Sequence, residues 1–147
     1  MTRDEAVNLL QAFFKSYGLA RPGLNENNLG GAMIGDGQIY FEYRPDCGRL
    51  KCSALIYRFK TEPRPRVLQE FRREEAAGTF DRGGGSIEYE AENCGLYLSC
   101  SYTDPVSPSD FTIDRRRLSG ASCAWGRTAL DRVASRASCA EGADGAD

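Results

Sequence analysis

Hydrophobic positions change period several times along this chain, and the changes divide it into eight elements. Val7, Leu10, Phe13, Phe14 and Tyr17 recur three and four residues apart, the spacing of one helix face. Thr2 followed by Glu5 is a capping-box pattern that opens this helix, and Gly18 offers a left-handed stop. After Pro22 and Gly23, residues 24–34 read as a connection leading into a short strand, and Gly35-Asp36-Gly37 marks a hairpin turn. Over 38–44, Ile39, Phe41 and Tyr43 alternate with Tyr40, Glu42 and Arg44, the two-residue period of a half-buried strand. Pro45-Asp46-Cys47-Gly48 then turns the chain into a third strand over 50–59. Here Cys52, Ala54 and Ile56 face one way and Leu55, Tyr57 and Phe59 the other. Both faces are apolar toward the end of this strand, so the second face requires a cover: a further helix, a second subunit or a bound peptide.

The second half repeats the alternation of periods. Pro63 and Pro65 forbid a central strand and start a short helix with Val67, Leu68 and Phe71 on one face and Gly78 as its stop. Gly83-Gly84-Gly85 links it to a strand in which Ile87, Tyr89 and Ala91 alternate with Glu88, Glu90 and Glu92. Asn93-Cys94-Gly95 turns that strand into a partner with Leu96, Leu98, Cys100 and Tyr102 inward and Tyr97, Ser99 and Ser101 outward, an antiparallel hairpin. Ser107, Pro108 and Asp110 begin a last helix whose stripe runs through Phe111, Leu118, Ser122, Trp125, Ala129 and Val133. Gly120 inside it costs about 1 kcal/mol relative to alanine, which predicts a kink or a close helix–sheet approach at that point. Residues 137–147 are Ala, Ser, Gly, Cys and acids, and read as a disordered tail. The expected fold is α+β, a two-layer α/β sandwich of order α-β-β-β-α-β-β-α. Its sheet is mainly antiparallel and strongly twisted, in a single domain over 1–136.

Composition narrows what such a domain can do. The chain has 147 residues, 41% of them hydrophobic, enough for one core. Its formal charge of −2 offers no strong field for nucleic acid or an anionic membrane. The first residues are acidic where a signal peptide is basic, and no apolar run approaches membrane-spanning length. The expected location is therefore cytoplasmic, without membrane insertion. Histidine is absent, which removes the commonest general base and metal ligand. Six cysteines, Cys47, Cys52, Cys94, Cys100, Cys123 and Cys139, are expected to be reduced in that compartment. Cys47 with Cys52 and Cys94 with Cys100 are C-x4-C and C-x5-C, not the tight C-x2-C of zinc knuckles, so no metal is expected. The triple glycine lacks the lysine of a phosphate loop, the three glutamates point into water, and Arg115-Arg116-Arg117 reads as a solvated face. No catalytic constellation emerges. A non-enzymatic protein without cofactors is expected.

The first helix with Leu24-Asn25-Glu26-Asn27-Asn28-Leu29, a short strand, Gly35-Asp36-Gly37 and the aromatic strand Ile39-Tyr40-Phe41 resembles the opening of the class I type III secretion chaperones, the family that includes the Tir chaperone. The short helix ending at Gly78, the glycine link, the hairpin and the final helix are similar to the second half of that family, so the resemblance spans about residues 2–136. It implies a homodimer that, without ATP, holds the extended N-terminal segment of a type III effector in a secretion-competent state. It also implies that Val67, Leu68, Phe71, Ile87 and Tyr89 form the dimer contact, and that Phe13, Phe14, Ile39, Phe41, Leu55 and Tyr57 contact the client. The physics agrees in kind, since an extended peptide gains backbone hydrogen bonds along a sheet edge and places alternate side chains in apolar pockets. The alternative is a protein-interaction or regulatory adaptor of the same fold, outside secretion.

Overall fold

The structure, a computed structural model, describes residues 1–136; the tail expected to be disordered and Cys139 lie outside the described residues. Helix α1 spans Arg3–Ser16. Its capping box is complete: Thr2 Oγ1 accepts from the Glu5 backbone N–H at 3.2 Å, and a Glu5 carboxylate oxygen accepts from the Thr2 N–H at 3.0 Å. Strands β1 (Leu29–Ile34), β2 (Gly37–Arg44) and β3 (Arg49–Arg58) follow, then helix α2 (Pro65–Ala77), β4 (Ser86–Glu90), β5 (Gly95–Tyr102) and α3 (Pro108–Ala124). The last helix continues past Ala124 through a π-helical segment, Trp125–Ala129, into a final stretch ending at Arg136. The fold is thus α+β in the expected element order.

The five strands form one sheet of order β1-β2-β3-β5-β4, and all four pairings are antiparallel. Two short turns fix the register. Ile34 pairs with Gly37 across Gly35 and Asp36, with Gly35 at φ +59°, a conformation that favours glycine. Gly48, at φ +60°, lies in the turn before β3.

One face of the sheet carries Ile39, Phe41, Leu50, Cys52, Ala54 and Leu98, all essentially inaccessible, against α1 and α3. Phe13 and Phe14 of α1 meet the Phe41 ring edge-on at 5.7 and 5.8 Å, and Phe111 of α3 lies 6.0 Å from Phe13. Each such ring contributes about 1.5–3 kcal/mol through burial alone. The α1 stripe is broader than its strongest periodicity, since Ala6 and Leu9 are buried with Leu10, Phe13 and Phe14.

Three sequence expectations change. Gly120 is exposed with open space at its Cβ position, so it neither kinks the helix nor touches the sheet. The irregularity lies at Trp125–Ala129, and the close approach is at Gly126, where a Cβ would stand 2.9 Å from the Ile56 carbonyl oxygen. Trp125 is fully buried there, its indole N–H donating to the Asp81 carbonyl at 2.9 Å. Second, Arg115 is not part of a solvated face: it is 2% exposed, because α3 turns it onto the sheet beside Tyr102. Third, Leu55, Tyr57 and Phe59 do not share one outer face. The β3–β5 register shifts between Leu55 and Tyr57, so Leu55 pairs with Tyr97 while Tyr57 pairs with the core residue Leu96. A bulge of this kind adds a residue to one strand and switches the face of all that follow.

Candidate functional site

The two ends of the sheet are finished differently. At the β4 end, α2 packs against the edge strand. Glu75 of α2 accepts a hydrogen bond from the outward N–H of Ile87 at 2.7 Å, and Phe71 is buried 6.4 Å from the Trp125 ring. Glu74, 2% exposed, is held by Arg136 Nη2 at 2.5 Å and Arg132 Nε at 3.5 Å. Tyr57, Phe59 and Tyr89 form an aromatic chain near this end, with ring separations of 4.9 and 6.4 Å.

At the β1 end no strand continues the sheet among the described residues. Asn28 accepts from the Tyr43 N–H, which places Gly30, Ala32 and Ile34 in hydrogen-bonded positions toward β2 and turns the backbone groups of Leu29, Gly31 and Met33 outward. Loop side chains meet part of this edge. The Leu29 N–H donates to Asn25 Oδ1 at 3.0 Å, the Leu29 carbonyl accepts from the Asn25 N–H at 2.8 Å, and the Gly31 carbonyl accepts from Arg21 Nη1 at 3.1 Å. Arg3 fixes the loop from α1, donating to Asn28 Oδ1 and the Asn25 carbonyl. No such contact meets Met33 among the described residues.

Beside this edge, the sheet face opposite α1 and α3 presents an apolar strip. Leu29 is 47% exposed, Met33 55% and Tyr40 37%. They are adjacent because Gly31 pairs with Tyr40 and has no side chain: a Cβ there would come within 3.3 Å of the tyrosine ring. The strip borders a hollow of about 230 Å³ lined by Leu29, Tyr40, Lys51, Arg58, Glu90 and Tyr97. Its floor is a hydrogen-bonded network. Ser99 Oγ donates to Ser53 Oγ at 3.0 Å, Tyr97 donates to Asn93 Oδ1 at 3.1 Å, and Arg58 donates to the Asn93 carbonyl at 3.1 Å. Burial holds the Tyr97 phenol above its ordinary pKa, so it stays a donor at neutral pH. Lys51 pairs with Glu88 and lies 3.8 Å from Glu90, so Glu90 lines the hollow and Glu88 is held by the same cation instead of pointing freely into water.

The structure distributes the residues singled out from sequence between these regions and the core. Phe13, Phe14, Ile39 and Phe41 are closed inside the monomer, at 0–1% exposure, because α1 and α3 cover them. Leu55 is half-buried on the open face and Tyr57 is 39% exposed at the aromatic end. Val67, Leu68 and Tyr89 are half-buried on α2 and β4, whereas Phe71 and Ile87 are buried against their own chain. Leu29, Met33, Arg21 and Asn25 were not among the expected site residues; Gly30-Gly31-Ala32 between Leu29 and Met33, a strand without bulky residues at its centre, is the signal that marks them. The cysteines do not converge on a cation. Cys52 and Cys100 oppose each other mid-sheet, while Cys47 and Cys94 occupy turns at opposite ends of β3, and no group of three metal-ligating side chains occurs among the described residues. No helix among the described residues is long and apolar enough to cross a membrane.

No protein-family model matches this chain, and no curated protein matches it by sequence. Solved structures do match by fold. A chain of the ExsC–ExsE complex superposes with a TM-score of 0.68 at 14% identity, over 87% of this chain and 96% of its own length. A chain of the HopA1–SchA chaperone–effector complex superposes with a TM-score of 0.57 at 13% identity, over 89% and 98%. The α+β fold anticipated from the element order is shared with these two chains.

Proposed function

We propose that this protein is an ATP-independent secretion chaperone, acting as a cytoplasmic homodimer on the extended N-terminal segment of a type III effector. The observation that carries the reading is the β1 edge, where outward backbone groups run beside the exposed strip of Leu29, Tyr40 and Met33. An extended client segment laid along β1 would complete hydrogen bonds at Met33 and place alternate side chains on the strip and in the neighbouring hollow. Backbone pairing makes little demand on client sequence, and the work is done by binding alone, so neither nucleotide nor a catalytic residue is needed. The fold shared with a chain of a chaperone–effector complex supports the same reading.

Self-association belongs to the other end. Of the five residues expected at a dimer contact, Val67, Leu68 and Tyr89 retain surface, and Tyr57 adds 39% exposure to that region. Phe71 and Ile87 support this surface from beneath. Of the residues expected at the client, Leu55 and Tyr57 retain surface, while Phe13, Phe14, Ile39 and Phe41 back the sheet from the core side.

The test is purification of the chain with and without the disordered N-terminal segment of a secreted protein encoded beside its gene, followed by light scattering. A dimer alone, and a dimer carrying one client segment in nucleotide-free buffer, is the expected result. A strictly monomeric chain at micromolar concentration that ignores the segment contradicts the proposal.

A further inference from the structure

Two cysteines with no part in peptide holding face each other at the centre of the sheet. Cys52 of β3 and Cys100 of β5 are direct register partners. Opposed residues in an antiparallel pair have Cα atoms about 4.5–5.5 Å apart, inside the roughly 4.4–6.8 Å span of disulfides. Cys52 is fully buried and Cys100 is partly exposed. Arg115 reaches them from α3: its Nη1 donates to Cys100 Sγ at 2.6 Å and its Nη2 donates to the Tyr102 hydroxyl. The guanidinium lies 4.8 Å over the Tyr102 ring and 5.6 Å over the Phe111 ring.

This cation is 2% exposed, and among the described residues no carboxylate lies within ion-pairing distance of it. Asp114 connects to it only through Tyr102, whose hydroxyl accepts from Arg115 and donates to Asp114 at 3.2 Å. An arginine cannot shed its proton at any ordinary pH, so its burial requires an anion beside it. The Cys100 sulfur is the group in place to supply one. We infer that Cys100 is a thiolate held by Arg115, a modification site for peroxides, with Cys52 as the thiol that resolves the first product.

The titratable surroundings agree. A hydrogen bond from Cys52, and then the charge of Arg115, outweigh burial and hold the Cys100 thiol down at about 6. Burial pushes Cys52 up, and likewise Tyr102, so both keep their protons. Cys52 from β3, Tyr102 from β5, and Arg115 and Asp114 from α3 are the groups that face or tune the sulfur. In the first step the Cys100 thiolate attacks hydrogen peroxide: an S–O bond forms, the O–O bond breaks, and hydroxide leaves. Sulfur becomes a sulfenic acid as the peroxide is reduced. The Cys52 sulfur then attacks Cys100 sulfur, its proton leaves with the hydroxyl as water, and a cross-strand disulfide joins β3 to β5. Two thiols and one peroxide become one disulfide and two waters.

The inference stands whether or not the chain has a client. It is tested by iodoacetamide alkylation of the full chain, read site by site by peptide mass spectrometry between pH 7 and 9. A thiol held at about 6 changes its rate by less than roughly a fifth over that range, whereas an ordinary thiol speeds up about 25-fold. Cys100 is expected to follow the flat profile and to turn steep in Arg115→Gln. Cys52→Ala, which removes the other stabilising contact with a small core substitution, is expected to steepen it as well. With one equivalent of hydrogen peroxide the expected product is a linked Cys52–Cys100 peptide, and in Cys52→Ala a dimedone adduct on Cys100. A 25-fold rise at Cys100 in the unmodified sequence overturns the inference. So does peroxide that oxidises Cys47 while Cys100 remains reduced.

Discussion

The β4 and β1 edges of the sheet meet the same physical problem with opposite materials. An edge strand leaves half its backbone groups unpaired and invites another chain to pair with it. At β4 the chain answers with a helix: α2 buries Phe71, lends Glu75 to the Ile87 N–H and is tied to the last helix through Glu74 and Arg136. At β1 it answers with two loop side chains, Asn25 on Leu29 and Arg21 on Gly31, and leaves exposed Leu29 and Met33 beside them. A hydrophobic, glycine-centred edge guarded by polar side chains can be opened at small cost. An edge sealed by a packed helix cannot. In the proposed function, β1 is therefore the edge that takes the exchangeable client, and the helix-sealed β4 end is the one that stays closed.

Breaking the sealed end should give the largest effects. Phe71→Ala removes a fully buried ring and is expected to lower unfolding free energy by about 3–5 kcal/mol, read by urea denaturation. Arg136→Ala leaves the Glu74 carboxylate, 2% exposed, with only Arg132 at 3.5 Å; a loss on the order of 3 kcal/mol is expected in the same assay. Changes at the open edge should touch binding and spare the fold. Met33→Pro deletes an outward N–H without cutting the β1–β2 ladder. Unfolding is expected to shift by under about 1 kcal/mol, while calorimetry shows at least roughly a tenfold loss of affinity for the client segment. Arg21→Ala should give the smallest change and the opposite sign. Freeing the Gly31 carbonyl removes a competitor worth about 0.5–1 kcal/mol, so the client should bind about two- to fivefold more tightly.

The sealed end was far more legible in the sequence than the open one. Pro65, the Val67-Leu68-Phe71 face and Gly78 bound α2 by local chemistry, and Gly78 does take a left-handed φ of +68°. Alternation likewise carried β2, where Ile39, Phe41 and Tyr43 are buried as the period requires. What failed depends on contacts distant in sequence. The β3 bulge answers to the β5 register and turns Tyr57 away from the face that Leu55 shares with Tyr97, which no local period reveals. Arg115 reads as one of three solvated arginines until β5 supplies Tyr102 and Cys100 beneath it. The open edge was missed because Leu29 and Met33 are separated by Gly30, Gly31 and Ala32, too weak a pattern to register as a surface. Phe13, Phe14, Ile39 and Phe41 show the converse: strongly apolar periodic positions most often mark a core.

Hydrogen exchange of the full chain, with and without a bound client segment, tests the central claim most directly. Slowed exchange at the outward amides of Gly31 and Met33, with the β4 amides unchanged, is the expected result. Protection confined to Ile87 and Tyr89 on β4, or none along β1, would contradict it.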